Sequence, residues 1–196
     1  MGELHQEIAG GLRTFIERQH IFFVATAPSA NSGHVNLSPK GLPLLRVLGP
    51  RELAYLDCVG SGVETIAHLR DNGRITLMFC AFEGAPKIVR CYGTGEVIEP
   101  QDAEFLLLAP LFAAAPGARA IVRIQVERIA DSCGFGVPLF DYRSDRPQLA
   151  AWAERKGEAA LQDYQRQKNA ASIDGLPGLR WTHAGTPVIQ NQGELP

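Results

Sequence analysis

Residues 60–82 read GSGVETIAHLRDNGRITLMFCAF, and they decide the fold because they predict a helix followed at once by a long strand. Ser61 and Glu64 have the S-x-x-E spacing of a capping box, so a helix is predicted to follow and to include Arg70. The residues from Arg74 to Phe82 are rich in strand-forming side chains. This stretch therefore predicts a protein that contains both helices and strands.

Alternating or short apolar runs predict five further strands on both sides of this stretch. They lie at residues 21–26, 34–38, 52–57, 87–98 and 120–129. The first two flank a loop of turn-forming residues, which predicts a β-hairpin. At least six strands, joined mostly by short turns, favour a closed or nearly closed barrel.

Three more helices are predicted, at residues 3–19, 102–108 and 147–168, the last of them weakened at Gly157. From Asn169 onward, glycine, proline and polar residues dominate. We expect this tail to wrap over another surface or to be partly mobile. The chain is thus predicted to consist of a barrel domain at residues 1–132 and a C-terminal helical extension at 133–196, which packs on the barrel or on a partner.

Composition excludes several classes of protein. The 196 residues carry a formal net charge of −2, whereas nucleic-acid-binding surfaces usually need a basic excess. Apolar runs such as Phe105 to Ala109 are far shorter than the roughly 20 residues that cross a bilayer. The N-terminus lacks the apolar core of a signal peptide. The four cysteines contain no CxxC pair, which predicts buried reduced thiols. We therefore expect a cytoplasmic protein with neither a nucleic-acid nor a membrane partner.

Motifs of common enzyme classes are absent from the sequence. It contains no Gly-Lys-Ser/Thr of a P-loop, no complete G-x-G-x-x-G fingerprint and no G-x-S-x-G nucleophile elbow. The five histidines form no HxxH or HxxxH pair, so no metal site is predicted.

Polar residues collect instead at the predicted strand ends. Asn36, Ser38 and Lys40 bring an amide, a hydroxyl and an ammonium group to the end of one strand. Residues 57–62 end another strand and open a helix, whose free N–H groups and positive dipole end attract anions. Together with Arg46, these groups could hold a phosphate.

The residues alone leave a second interpretation open. Ser61 and Glu64 could form no more than a capping box, and Lys40 could be a solvated loop lysine. Arg46 and Arg90 could both be ordinary surface arginines.

The order of these segments resembles the pyridoxamine 5′-phosphate oxidase-like, FMN-binding split-barrel proteins. The resemblance is carried by VNLSPKG at 35–41, LRVL at 45–48, AYLD at 54–57 and the 60–82 stretch, and covers roughly residues 15–130. It implies a mainly β (α+β) fold, a six-stranded split β-barrel with flanking helices. It also implies a homodimer with one FMN in each of two clefts at the subunit interface.

The resemblance also implies roles for particular residues. Arg46 and residues 61–65 would hold the flavin phosphate, and residues 36–40 would border the ribityl chain or the edge of the isoalloxazine ring. The cofactor-binding residues predicted in this way are Asn36, Leu37, Ser38, Pro39, Lys40, Arg46, Asp57, Ser61, Gly62, Thr65 and Arg90.

The sequence departs from authentic pyridoxamine 5′-phosphate oxidases at the helix start. Those enzymes have Arg and Lys after the Gly-Ser pair, whereas this chain has Gly62, Val63 and Glu64. Its tail also lacks their Arg-Leu-rich segment with a Trp. The resemblance therefore predicts an FMN-dependent oxidoreductase that acts on a different small-molecule substrate or electron donor.

Two other hypotheses stay open. The protein could be a non-catalytic flavin carrier or sensor, or its cleft could take haem or a deazaflavin. No catalytic residue is predicted: His34 and His68 could titrate near neutrality, and Cys58 and Cys91 could lie near the ring or in the core.

Overall fold

One antiparallel sheet of eight strands dominates residues 2–183, the part of the chain that the computed structural model describes. The strands are β1 (Leu4–His5), β2 (Phe22–Thr26), β3 (Asn36–Lys40), β4 (Leu45–Gly49), β5 (Glu52–Cys58), β6 (Arg74–Cys80), β7 (Ile88–Ile98) and β8 (Ala118–Ser132). The helices are α1 (Gly10–Glu17), α2 (Glu64–Asn72), α3 (Ala103–Leu108) and α4 (Gln148–Lys168), with short 3-10 turns at Ala109–Leu111 and Arg180–His183.

The strands follow the order β3-β2-β6-β7-β8-β5-β4, with β1 paired to β8. Two contacts join strands that are not neighbours in this order. Lys40 of β3 forms an ion pair with Asp57 of β5, and the rings of Phe22 on β2 and Tyr55 on β5 lie 5.5 Å apart. The sheet therefore curls round on itself, and the predicted split barrel with flanking helices is confirmed.

The barrel interior is filled by alternate residues of the long strands. Val122, Ile124 and Val126 of β8 are buried, as the alternation in the sequence predicted, whereas Gln125 and Glu127 are exposed. Burial of each such aliphatic side chain contributes about 1.5–3 kcal/mol. The core therefore fixes the strand ends that carry the polar residues.

A glycine is required where β7 packs most closely on β8. A Cβ at Gly93 would lie only 2.0 Å from the carbonyl oxygen of Gln125, and the register of the two strands shifts between Tyr92 and Gly93. The predicted bulge or close backbone approach at this position is thus confirmed.

The prediction of one helix over residues 3–19 is wrong in its first part. Leu4 and His5 pair with β8 as a short strand, and the helix begins at Gly10, whose φ is +50°. Gly10 and Gly11 are poor helix formers, which explains why the helix does not extend further towards the N-terminus. With β1 and β4, the sheet has two strands more than the six predicted.

The C-terminal part packs back onto the barrel. Helix α4 has the predicted extent, and Gly157 interrupts it with φ 70° and ψ 165°. Residues 169–183, which we call the C-terminal segment, then return across the barrel and bury Leu179 completely. The predicted wrapping is confirmed for these residues, and residues 184–196 of the predicted tail lie outside the described part. The division at residue 132 into two domains stays a prediction.

Two smaller points concern the thiols and the membrane. All four cysteines are free, but Cys133 is exposed, so the prediction of a buried thiol is wrong at this position.

Within residues 2–183, no helix combines the length and the apolar character needed to cross a bilayer.

Candidate functional site

A buried aspartate lies between two cations at one end of the barrel. Asp57, near the end of β5, has a fully buried side chain. Its Oδ1 lies 2.7 Å from Nζ of Lys40, and its Oδ2 accepts a hydrogen bond of 2.8 Å from Nε of Arg119. The side chain of Lys40 is 24% exposed and that of Arg119 only 5%. We call these three residues the ion triad.

The ion triad carries one net positive charge. Burial alone would raise the pKa of Asp57, but Arg119 and Lys40 outweigh this effect and hold the pKa at about 2. The carboxylate is therefore ionised at neutral pH. An ammonium group has three N–H donors, and Lys40 gives one of them to Asp57, so donors remain for an anion on its exposed side.

A second group of polar side chains ties β2, β3 and α2 together beside the ion triad. The amide nitrogen of Asn36 donates to the hydroxyls of Thr26 at 3.0 Å and Thr65 at 2.9 Å. The hydroxyl of Ser38 donates to the amide oxygen of Asn36 at 2.9 Å, and Nδ1 of His68 lies 3.0 Å from the Thr26 hydroxyl. The structure thus brings Asn36, Ser38 and Thr65 close together, and it fixes their orientation.

The strand β3 presents two different faces. Asn36, Ser38 and Lys40 are half-buried and make the contacts described above. Leu37, which is 64% exposed, and Pro39 alternate with them on the solvent side. The interpretation of Lys40 as a solvated loop lysine is wrong, because it is a strand residue paired with a buried carboxylate.

Tyr55 has a buried hydroxyl group that makes no hydrogen bond of normal geometry to residues 2–183. Its ring lies 5.8 Å from Nζ of Lys40. Burial, reinforced by the negative charge of Asp57, raises the pKa of Tyr55 well above its ordinary value, so the hydroxyl stays protonated. A contact with the Thr65 side chain acts on the pKa in the opposite direction.

The start of α2 differs from the prediction. The helix begins at Glu64, its N-cap residue is Val63, and no side chain caps it, so the predicted capping box is wrong. Ser61 is exposed, and Glu64 accepts a hydrogen bond of 3.3 Å from the backbone N–H of Ile173. Because the carboxylate of Glu64 is already in the first turn, it occupies the position where the helix dipole favours an anion.

Two of the predicted site residues make their contacts elsewhere. The guanidinium of Arg46 donates to the backbone carbonyls of Leu111, Pro43 and Leu45 and lies 5.3 Å from the ring of Phe112. Arg46 forms no ion pair with a carboxylate of residues 2–183.

Arg90 likewise bonds away from the ion triad. Its Nη1 donates to the hydroxyl of Ser132 at 3.2 Å. Gly62, by contrast, lies next to the triad, because its carbonyl oxygen accepts a hydrogen bond of 2.9 Å from Nη1 of Arg119.

A family model described as pyridoxamine 5′-phosphate oxidase matches residues 9–133. The pyridoxamine 5′-phosphate oxidase family protein ustO of Aspergillus flavus is 42% identical in an alignment 194 residues long, which covers 89% of this chain and 77% of the relative. The chain belongs to the pyridoxamine 5′-phosphate oxidase family.

A solved structure shares the fold of this family member. A crystal structure of a HupZ variant from Group A Streptococcus is 24% identical and superposes with a TM-score of 0.50, covering 64% of this chain and 99% of that one. The FAD binding protein from Mycobacterium smegmatis is 12% identical, with a TM-score of 0.45, and covers 63% of this chain and 94% of that one.

The sequence did not reveal two residues of this family member's candidate site. Arg119 lies 62 positions from Asp57, and no local motif marks it. Tyr55 lies in an ordinary apolar strand pattern. The only available signal was their position near the ends of predicted strands, which many other residues share.

The histidines and thiols weighed as candidate groups have different surroundings. Burial lowers the pKa of His68, and His34 is exposed and lies 2.6 Å from Asp174. Burial raises the pKa of Cys58 to about 11 and that of Cys91 to about 12, so both thiols stay protonated near neutrality.

The C-terminal segment covers the loop between β5 and α2 in this family member. The amide nitrogen of Asn169 donates to the carbonyl of Gly60 at 3.0 Å. A Cβ at Gly178 would lie 3.0 Å from the side chain of Val63, so the two surfaces touch. Access to this loop is therefore limited on the side of the C-terminal segment.

Proposed function

We propose that this protein binds FMN beside the ion triad and acts as an FMN-dependent oxidoreductase on a small-molecule substrate or electron donor. The observation that carries the proposal is the positive charge left on the ion triad, with Lys40 partly exposed, in a member of this family. A phosphate group matches this excess charge, since charge-assisted hydrogen bonds to phosphate are among the strongest in proteins.

The residues around the ion triad fit such a group. Lys40 has donors to spare for the phosphate, and Ser61 offers an exposed hydroxyl. Arg119 balances Asp57, so that the charge of Lys40 is free to attract the anion. The flavin, when bound, supplies the electron-transfer chemistry, and the protein binds and orients it.

Dimer formation is part of the same proposal. Val35 and Leu37 are 75% and 64% exposed beside β3, and Leu106 and Leu107 are exposed on α3. Apolar side chains exposed in groups are typical of interaction surfaces. We expect two copies of the chain to meet over these faces, with the cofactor at their interface. The cytoplasmic location expected from the sequence stays a prediction.

The test compares FMN with riboflavin, which lacks the phosphate. Dissociation constants are measured by flavin fluorescence for the wild type and for Lys40→Met, with Lys168→Met, an exposed α4 lysine, as the matched control. We expect Lys40→Met to weaken FMN binding at least about tenfold and to leave riboflavin binding nearly unchanged. If FMN does not bind, or if both lysine variants behave alike, the proposal is wrong.

One observation favours a second candidate function, a non-catalytic flavin carrier. The titratable groups near the ion triad are held away from neutral pH: Asp57 is ionised, Tyr55 and Cys58 stay protonated, and the pKa of His68 is lowered. General acid–base catalysis works best with a group whose pKa lies near the working pH. FMN-loaded protein that binds flavin tightly but does not oxidise NADH with any of a panel of acceptors would support the carrier.

A further inference from the structure

A cleft separate from the exposed side of Lys40 lies between α4 and the start of β8. Its volume is about 690 Å³, which suits a small organic molecule. Residues 153–166 of α4 form one wall, residues 116–119 form the opposite wall, and residues 100–101 and Trp181 close the ends. We call it the α4 cleft.

One cationic group of the α4 cleft is rigidly held. Arg119 lines the cleft, and its guanidinium is fixed by Asp57 at 2.8 Å and by the carbonyl of Gly62 at 2.9 Å. These bonds use Nε and Nη1, and Nη2 makes no hydrogen bond to residues 2–183. A guanidinium that is oriented in advance loses little entropy when it binds a carboxylate or a phosphate.

A buried amide lies on the opposite wall. Gln165 is only 8% exposed, it lines the α4 cleft, and its side chain makes no hydrogen bond to the described residues. The amide atoms of Gln165 keep some solvent exposure, so they can donate to a polar group of a ligand in the cleft. The N–H groups of Gln165 and of Arg119 can both donate hydrogen bonds to one anionic group.

The remaining charges restrict where that anionic group can lie. Glu154 and Glu158 line the cleft at exposed positions of α4, and they disfavour a second negative charge on that side. Arg166 is already paired with Asp163 at 2.8 Å and lies 5.2 Å from the ring of Trp181. The α4 cleft therefore favours a ligand with a single negative charge.

The rest of the lining is apolar. Ala153 and Leu161 of α4, Pro116 and the ring of Trp181 offer surfaces for a flat or branched hydrocarbon body. A few polar groups that fix one end of a ligand within mostly apolar walls are typical of small-molecule sites.

We infer that the α4 cleft binds a small monoanionic molecule with an aromatic or apolar body, its carboxylate held by Arg119 and Gln165. Arg119 also belongs to the ion triad of the function proposed above, so the variants below change Gln165 and Leu161, which line only the α4 cleft.

The test uses the purified protein together with any cofactor that stays bound to it during purification. Trp152→Phe leaves Trp181 as the single tryptophan, whose fluorescence reports binding at the cleft. Benzoate, phenyl phosphate and the neutral benzamide are titrated, and we expect saturable binding of benzoate, with benzamide weaker by about tenfold or more. Phenyl phosphate is mostly dianionic at neutral pH, so it should bind more weakly than benzoate, and tighter binding of phenyl phosphate would contradict the single charge.

Variants connect the signal to the named residues. Gln165→Leu should weaken anion binding about fivefold, whereas Gln167→Leu, an exposed neighbour outside the cleft, should not. Leu161→Trp should fill the cleft and abolish binding, which calorimetry detects without the fluorescent reporter, while a normal melting temperature confirms that the variant is folded. Equal binding of benzamide, no binding of any probe, or unchanged binding in both cleft variants would overturn the inference.

Discussion

Two buried carboxylates of this protein have similar surroundings and different uses. Asp57 and Glu99 both have fully buried side chains, and each is paired with two cations. The cations of Asp57 come from the strands β3 and β8. Those of Glu99 come from α2 and the C-terminal segment, so only Glu99 joins the barrel to a later part of the chain.

Their charge balance differs as well. Arg70 and Arg180 both contact Glu99, and Arg180 also contacts Asp102, so two acids balance two arginines. The ion triad has one acid for two cations. The comparison suggests that a balanced cluster serves as an anchor, whereas an unbalanced cluster attracts an anionic ligand.

The largest expected effect concerns removal of the two buried charges. Asp57→Asn leaves Lys40 and Arg119 without their counter-charge, and we expect the free energy of unfolding to fall by about 3 kcal/mol. Glu99→Gln should cost less, about 2 kcal/mol: Arg70 loses its carboxylate partner, but Arg180 is half-exposed and keeps Asp102. Urea unfolding measures both values.

The comparison would fail if Glu99→Gln were as destabilising as Asp57→Asn. Thr14→Ser, at an exposed position on α1, serves as a control that should leave the midpoint nearly unchanged.

A second effect of intermediate size is the response to acid. The pKa of Asp57 is about 2 in the folded protein, below its ordinary value of 3.8. A lowered pKa contributes stability that is present above about pH 4 and is lost as the pH falls towards 2. We expect the stability difference between wild type and Asp57→Asn to shrink by about 2 kcal/mol over this range. A difference that is constant with pH would contradict the assigned pairing.

The smallest effect concerns Arg180. Its side chain is half-exposed, so Arg180→Gln should lower the unfolding free energy by less than about 1 kcal/mol. Because it anchors the C-terminal segment, we expect faster hydrogen exchange at Leu179, whereas amides of β8 should exchange as in the wild type. Faster exchange over the whole sheet would show that this residue stabilises the barrel rather than the segment alone.

Local patterns were sufficient to predict much of the fold. The alternation in β8, the hairpin of β2 and β3 and the long strand after α2 all have the periodicity that strand burial requires, and the structure confirms them. The short strand β1 could not be predicted in this way, because two residues have no period and depend on pairing with a strand more than 120 residues later.

The candidate site was harder to predict than the fold. Asn36, Ser38 and Thr65 were named from the sequence and do lie together. Arg119 was missed, since an ion pair across 62 residues has no local signal. The prediction of a capping box was wrong for a similar reason. The Glu64 carboxylate accepts a hydrogen bond from the backbone N–H of Ile173, which is far away in the sequence.

The placement of the C-terminal segment has a consequence for how the protein is made. A nascent chain that has left the ribosome only as far as β8 already contains every strand of the barrel, but the loop at Gly60 and Val63 is still exposed to solvent. The residues that pack on this loop, Asn169 and Gly178, emerge later. This face of the barrel is thus completed late in synthesis, well after the sheet that supports it.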